Sequence, residues 1–544
     1  MKKNTIIIYK SLKILANLPF FHRLIRKVYV ARNKKLYYSK GPLAGTFLAV
    51  VFFDMIGIIV FERKMVMNHH DMPLFNELVK FSNQDPISFH VPGHKNGEIF
   101  IRKAKEYFHS ILSIDLTEIS GLDDLHAPHG IIKNAQDLAA DFFGANHTFY
   151  LVGGSTVGNL AMILSVCNPG EKVIVQRNSH KSIMNGLELC GAKPIFISPE
   201  YNSTQKRYTA PSYETVEQAI LDHPDAKALI LTYPDYFGNT YNIERMIGLA
   251  HQHQIPVLVD EAHGVHFVLG NPFPKSALVL GADVVVQSAH KMAPAMTMAS
   301  FLHINSSLIS KEVIGHYLQL LQSSSPSYPL MASLDVARSF LATVTREELV
   351  KLIDSSKYVR ELFQLGKHWT VLPSDDPLKI TLLVHNGLSG YDVASAFEEH
   401  SIYPELATDN HVLFVHGLHE FKEEKRVEKI IKSLNEEYKY QTNHATIESS
   451  KLFKEPVTEL AVNYHEMLHL QRQTTRLGEA NGMIAAEAVI PYPPGIPVIL
   501  KGEYITKEQI ELLQHLIQHG ATIQHQDINK GIQVFVGTEG EEIT

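Results

Sequence analysis

Between Thr148 and Gln287 the chain repeats one pattern: a short apolar run rich in β-branched residues, a polar cluster, then a stretch with helical spacing. The runs are Thr148–Val152, Lys172–Val175, Pro194–Ile197, Ala228–Thr232, Pro256–Val259 and Asp283–Gln287. Between them Asn159–Cys167, Ser182–Cys190, Tyr213–Leu221 and Ile243–His253 read as helices by spacing and breaker placement. This alternation predicts an α/β fold whose large domain holds a mainly parallel, doubly wound sheet. Open sheets of that kind keep their chemistry where the strands end.

Polar clusters stand at those ends. Gly153-Gly154-Ser155-Thr156-Val157-Gly158-Asn159 follows a strand and opens a helix, so its amides can cradle a phosphate. His180 follows Val173–Gln176, Asp260-Glu261-Ala262-His263 follows Pro256–Val259, and Ser288-Ala289-His290-Lys291 follows Asp283–Gln287. Taken singly, each has an ordinary explanation: a glycine-rich turn, a polar loop histidine, a helix N-cap aspartate, a surface lysine. Their coincidence on successive strand ends points to pyridoxal phosphate. Its aldehyde needs an amine, here Lys291, and its ring nitrogen needs an anionic partner, here Asp260. An imidazole such as that of His180 can stack on the ring.

The 544 residues, 45% hydrophobic, are enough for one large core and at least one smaller one. A net charge of -7 with no basic, aromatic-interleaved stripe argues against nucleic acid. Cys167 and Cys190 lie in apolar or helical stretches, which fits reduced thiols in a cytoplasmic protein. Residues 1–40 carry 11 Lys/Arg and no acid, and Leu43–Phe61 is almost wholly apolar, so a membrane anchor is the alternative. Asp54 interrupts the run, and globular composition begins near Met67. We therefore read residues 1–66 as an atypical extension, either upstream sequence or a dispensable appendage, and disfavour a membrane. The expected domains are then 67–340, 341–445 (small, α+β) and 446–544 (C-terminal). A linker is expected at Gln441–Ser450 and a helix around Glu459–Arg472.

Five strings, in order, carry a resemblance: Phe89-His90-Val91-Pro92-Gly93-His94-Lys95, Gly121-Leu122-Asp123-Asp124-Leu125-His126, Asp260-Glu261-Ala262-His263-Gly264, Ser288-Ala289-His290-Lys291 and Ile490-Pro491-Tyr492-Pro493-Pro494-Gly495. Over nearly everything after residue 70 the chain resembles the bacterial ornithine/lysine/arginine decarboxylases, in the short form without a flavodoxin-like N-terminal domain. The resemblance implies fold type I, the aspartate-aminotransferase-like architecture, and at least a homodimer with sites at the subunit interface. It implies that Lys291 binds the cofactor covalently, with His290 beside it. Asp260 would pair with the pyridinium, His180 stack on the ring, and Gly154, Ser155, Thr156, Ser288 and His263 complete the cofactor site. Ser323-Ser324-Ser325 would reach the neighbouring subunit's cofactor.

The implied reaction removes carbon dioxide from arginine, lysine or ornithine and leaves a di- or polyamine, with His290 or Lys291 returning a proton to Cα. Glu487 is the expected contact for the substrate's distal cation, and Asp124 its competitor. Met292 and Tyr233-Pro234-Asp235-Tyr236 depart from the family pattern and leave the substrate open. Rival readings are another fold type I activity, such as an aminotransferase or aldolase, and a non-catalytic regulatory homologue. No metal is expected, because His126/His129 and His251/His253 lack partners at ligand spacing.

Overall fold

Three short strands, β1 (Leu36–Lys40), β2 (Phe47–Phe52) and β3 (Ile58–Arg63), pair antiparallel in that order within a unit of their own, Met1–Asn68. The apolar run considered above as a membrane helix thus contributes two strands, as its β-branched and aromatic composition favours. In this computed structural model the described residues are those three strands, by backbone alone, and 67–385, 387–437, 452–492, 495–525 and 527–536. Asp54, the linker 441–450 and Pro493-Pro494 lie outside them. Among the described residues no helix is long and apolar enough to cross a membrane.

The second unit, His69–Thr544, is built on one large sheet. Its strands are β4 (His147–Leu151), β5 (Lys172–Gln176), β6 (Lys193–Ile197), β9 (Leu229–Thr232), β10 (Val257–Asp260), β11 (Val284–Gln287) and β12 (Ser300–Ile304), with a small hairpin, β7 (Tyr201–Asn202) and β8 (Arg207–Tyr208), after β6. The order is β6-β5-β9-β10-β11-β12-β4, parallel from β6 to β11, with β12 antiparallel to both neighbours. All six expected runs are strands. β12 was not anticipated, because Ser300 and His303 break its apolar pattern. Both are fully buried, and His303 is bonded to Thr148 (2.8 Å) and Gln287 (3.0 Å).

Strand side chains alternate between two cores, as a pleat of period two requires. Ile174, Leu229, Leu231, Val257, Val259 and Val285 enter one core, and Val173, Val175, Ile230, Leu258, Val284 and Val286 the other. Cys167 and Cys190 are buried, free thiols in the second. A third core fills the four-stranded antiparallel sheet of β13 (Trp369–Leu372), β14 (Lys379–Val384), β15 (Leu406–Ala407) and β16 (His411–Val415), ordered β13-β14-β16-β15.

The expected helix around Glu459–Arg472 is not formed. β17 (Val457–Glu459) takes the free edge of β6, the Asn463 side chain caps a tight turn by accepting from the His465 and Glu466 amides, and β18 (Gln471–Thr475) pairs with β19 (Ile532–Val536). Tertiary pairing overrides the local helical spacing there.

A buried ion pair fastens the start of the unit. Asp335 and Arg338, both fully buried in helix Tyr328–Thr343, lie 2.8 Å apart. Asp335 also accepts from the Leu74 amide, and Arg338 donates to the His69 and Asp71 carbonyls. Removing one partner strands the other charge without water. Asp335→Ala is expected to cost about 3–5 kcal/mol of unfolding free energy, read from a denaturant midpoint.

Candidate active site

The carboxyl edge of the parallel strands opens into a cavity of about 600 Å³. At one end lie Gly153, Gly154, Ser155 and Thr156, where helix Gly154–Leu164 leaves β4. That helix packs tightly on the sheet: a Cβ at Gly158 would stand 2.7 Å from Leu151 and 2.9 Å from Val286, so only glycine allows the approach. The first-turn amides therefore face the strand edge. Ser288, just past β11, donates to Ser155 Oγ at 2.9 Å, giving the amides two hydroxyl neighbours. Such a cradle suits a phosphate.

Asp260, the last residue of β10 and 3% exposed, accepts from Asn159 Nδ2 (2.9 Å) and the Ala262 amide (3.2 Å). Both donors are neutral. The Asn159 amide also donates to Ser182 Oγ (2.8 Å), which lies 2.8 Å from His180 Nδ1. His180 is the N-cap of helix Lys181–Cys190, accepting from the Ser182 amide at 3.2 Å. Burial lowers its pKa, and that of His290, so both rings favour the neutral form.

Lys291 sits in the short helix Ala289–Met292 after β11. Burial lowers its pKa, opposed by Asp260 and Glu405. Its Nζ lies 3.0 Å from His263 Nε2 and 5.4 Å from the centre of the Tyr236 ring. Lys379 Nζ lies 3.0 Å from His263 Nδ1. The Tyr236 hydroxyl donates to Glu405 at 2.7 Å. Arg207, on β8, donates to Asp235 at 2.7 Å, and its buried Nε and Nη2 have no hydrogen-bond partner among the described residues. All of these residues line the cavity.

An amine, a buried carboxylate with only neutral donors, and an amide-and-hydroxyl cradle, all on one wall, form a donor set that fits pyridoxal phosphate. The structure thus gathers Lys291, His290, Asp260, His180, Gly154, Ser155, Thr156, Ser288 and His263. Two expected residues are elsewhere. Glu487 accepts from His525 Nε2 (2.9 Å) and the Gln533 amide (2.6 Å), and Asp124 from the His126 amide (2.8 Å); neither lines the cavity, Glu487 being engaged by the distant 525–533 segment and Asp124 by its own loop. Ser323 also lies outside the lining, its carbonyl bonded to His126. Away from the cavity, Asp409, His515 and His519 bring ligand-type atoms within 4.8 Å, with His515 paired to Asp409 at 3.0 Å.

Missed by the sequence reading were Asn159 as an acid's partner, Arg207, Lys379 and Glu405. Lys379 left one signal, a lysine opening an otherwise apolar strand.

Fold and site define a fold type I pyridoxal-phosphate enzyme. Residues 72–375 match the family model for the Orn/Lys/Arg decarboxylase major domain and 442–525 that for its C-terminal domain. The chain is 44% identical over 481 residues to the uncharacterized protein YaaO of Bacillus subtilis, covering 86% of this chain and 99% of that one. It is 37% identical to the arginine decarboxylase of Bacillus subtilis, covering 84% and 96%. The crystal structure of the Francisella novicida lysine decarboxylase LdcF shares its fold, with a TM-score of 0.71 at 22% identity over 86% of this chain and 81% of that one. The chain belongs to the Orn/Lys/Arg decarboxylase family. Its reaction is the pyridoxal-phosphate-dependent decarboxylation of a basic amino acid.

Asn159→Leu keeps the branched outline of the side chain but removes the donor that joins Asp260 to Ser182. The expected loss is about 1.5–3 kcal/mol, the range for a hydrogen bond to a charged group. Denaturant unfolding of the apoprotein measures it.

Proposed function

We propose that the substrate is arginine and that the cavity residues divide the work as follows. The preference rests on one observation: the Bacillus subtilis arginine decarboxylase is far closer in sequence than the Francisella novicida lysine decarboxylase. Lys291 holds the cofactor covalently, Asp260 faces its ring nitrogen, His180 stacks on the ring, and Ser155, Thr156, Ser288 and the helix amides bind its phosphate. When bound, pyridoxal phosphate supplies an electron sink for the pair left as the Cα–carboxylate bond breaks. His290 and Lys291 are the groups placed to return a proton to Cα.

Recognition of the distal guanidinium falls to Glu405 rather than Glu487. Asp235 already pairs with Arg207, while Glu405 accepts from the neutral phenol of Tyr236 and faces the cavity. A guanidinium entering there gains a charge-assisted partner.

The working form we propose is a cytoplasmic homodimer, with the chain after residue 66 divided into the modules 67–340, 341–445 and 446–544. Ile87, Phe89, Ile101 and Tyr107 are each at least 77% exposed, an apolar surface of the kind that a partner subunit covers. Ser323–Ser325 would meet the partner's site across that interface.

Carbon dioxide and amine product measured with arginine, lysine and ornithine test the preference. Arginine should give the highest kcat/KM, and turnover of lysine at an equal or greater kcat/KM sinks it. Lys291→Ala should abolish turnover, and Asp260→Asn should keep the fold while losing most of kcat. Glu405→Gln should raise KM for arginine by about 10- to 100-fold, from the roughly 1.5–3 kcal/mol of a charged hydrogen bond, with Glu487→Gln near wild type. The reverse result returns recognition to Glu487.

A further inference from the structure

His263 holds an amine on each side of its ring: Lys291 Nζ at 3.0 Å from Nε2 and Lys379 Nζ at 3.0 Å from Nδ1. Valence restricts what this can mean. A neutral imidazole offers one N–H and one lone pair, and an imidazolium offers two N–H groups. A lysine ammonium can only donate. Both contacts are hydrogen bonds only if at least one of the two amines accepts, and an amine that accepts has lost its proton.

We propose that Lys379 is a positioning residue that donates to His263 Nδ1, fixing the Nε2–H tautomer, and that this N–H holds Lys291 as a free base. This rests on the assignment of Lys291 as the residue that condenses with the cofactor aldehyde, a role that only an unprotonated amine can perform. The free base must be restored each time substrate displaces Lys291 and product leaves.

Three carboxylates face Lys379 and two face Lys291, which favours Lys379 as the amine that keeps the proton. Lys379 is fully buried; burial pulls its pKa down to about 8, while Asp376, Glu405 and Asp235 support its charge. Asp376 is held by His266 Nε2 at 3.0 Å. Lys291 is faced by Asp260 and Glu405. Asp260 is the carboxylate that would be satisfied by a protonated ring nitrogen. Around His263 stand the two lysines, His266 and His180, and burial drives its pKa well below 6.5, which removes the imidazolium. The stem of Lys379 is fixed too. A Cβ on Gly238 would lie 2.6 Å from Lys379 Cγ and 2.9 Å from Asp376 Cβ, at a backbone φ of +83°.

The test is the rate at which full-length apoprotein captures pyridoxal phosphate, followed by absorbance across pH. Below its midpoint the rate tracks the free-base fraction of Lys291. Lys379→Met and His263→Phe should each move that midpoint up by about one pH unit, slowing capture about tenfold at neutral pH. Lys379→Arg should keep the wild-type midpoint, because a guanidinium still donates to Nδ1. An unchanged midpoint in a folded Lys379→Met or His263→Phe variant overturns the proposal. So does a Lys379→Met variant that raises KM for arginine while capture is unaltered, since that marks a carboxylate anchor. Ring-nitrogen shifts of His263 in ¹⁵N-histidine-labelled wild-type apoprotein give a reading that depends on no variant's folding. A neutral Nε2–H ring at pH 7 is expected, and an imidazolium or Nδ1–H ring overturns the relay. Wild-type apoprotein that captures no cofactor at Lys291 overturns the assignment of Lys291 as well.

Discussion

Parallel pairing of β6, β5, β9, β10 and β11 is the constraint from which the rest follows. With both faces given to apolar cores, these strands have no room for polar side chains along their length. Polar residues collect where the strands stop, and parallel direction puts those stops on one edge. Register then sets spacing: Asp260 aligns with Thr232 on one side and Val286 on the other, which places the carboxylate two residues before Ser288 in the next strand's path. The site is a by-product of sheet geometry before it is a set of chemical groups.

Burying ionisable groups at such an edge is costly unless each finds a partner. For Asp260 and Glu261 the protein settles this with chains of neutral donors, beside ion pairs such as Arg207–Asp235. Asp260, Asn159, Ser182 and His180 form one chain, and Thr148, His303, Gln287 and Glu261 another behind it. Burial pushes Glu261 up to about 7 and His303 down to about 3, so both lean towards neutrality. The linkage signs oppose each other. His303 withdraws stability as pH falls from 6.5 towards 3, and Glu261 withdraws it as pH rises from 4.5 through 7.

How much of this could be read in the chain follows from where each signal lies. Apolar runs and the glycine-rich turn are local, and they located six strands and put the turn, Asp260 and Lys291 at strand ends that line one cavity. β12 was hidden because its buried histidine, His303, is satisfied by Thr148 and Gln287, each more than a dozen residues away. The segment after β17 was misread because its pairing with β6 and β19 is non-local. Lys379 and Glu405 reach the cavity from a second sheet, and nothing in their neighbourhoods records the His263 and Tyr236 they meet. Glu487 stands just before a persuasive string, Ile490–Gly495, yet its carboxylate is engaged by His525 and the Gln533 amide.

The walls of the cavity come from widely separated parts of the chain: the phosphate cradle and Lys291 precede residue 300, whereas Tyr492, Ile496 and Gln524 come near the end. A chain made from its N-terminus exposes these parts to folding in that order. The central sheet can pair, and the anion cradle can form, while Gln524 is still inside the ribosome. At that stage Lys291 would stand with part of the wall around it still to be made. Closure of the cavity therefore waits for the last part of the chain, and a product ending before Tyr492 would lack three of its lining residues, Tyr492, Ile496 and Gln524.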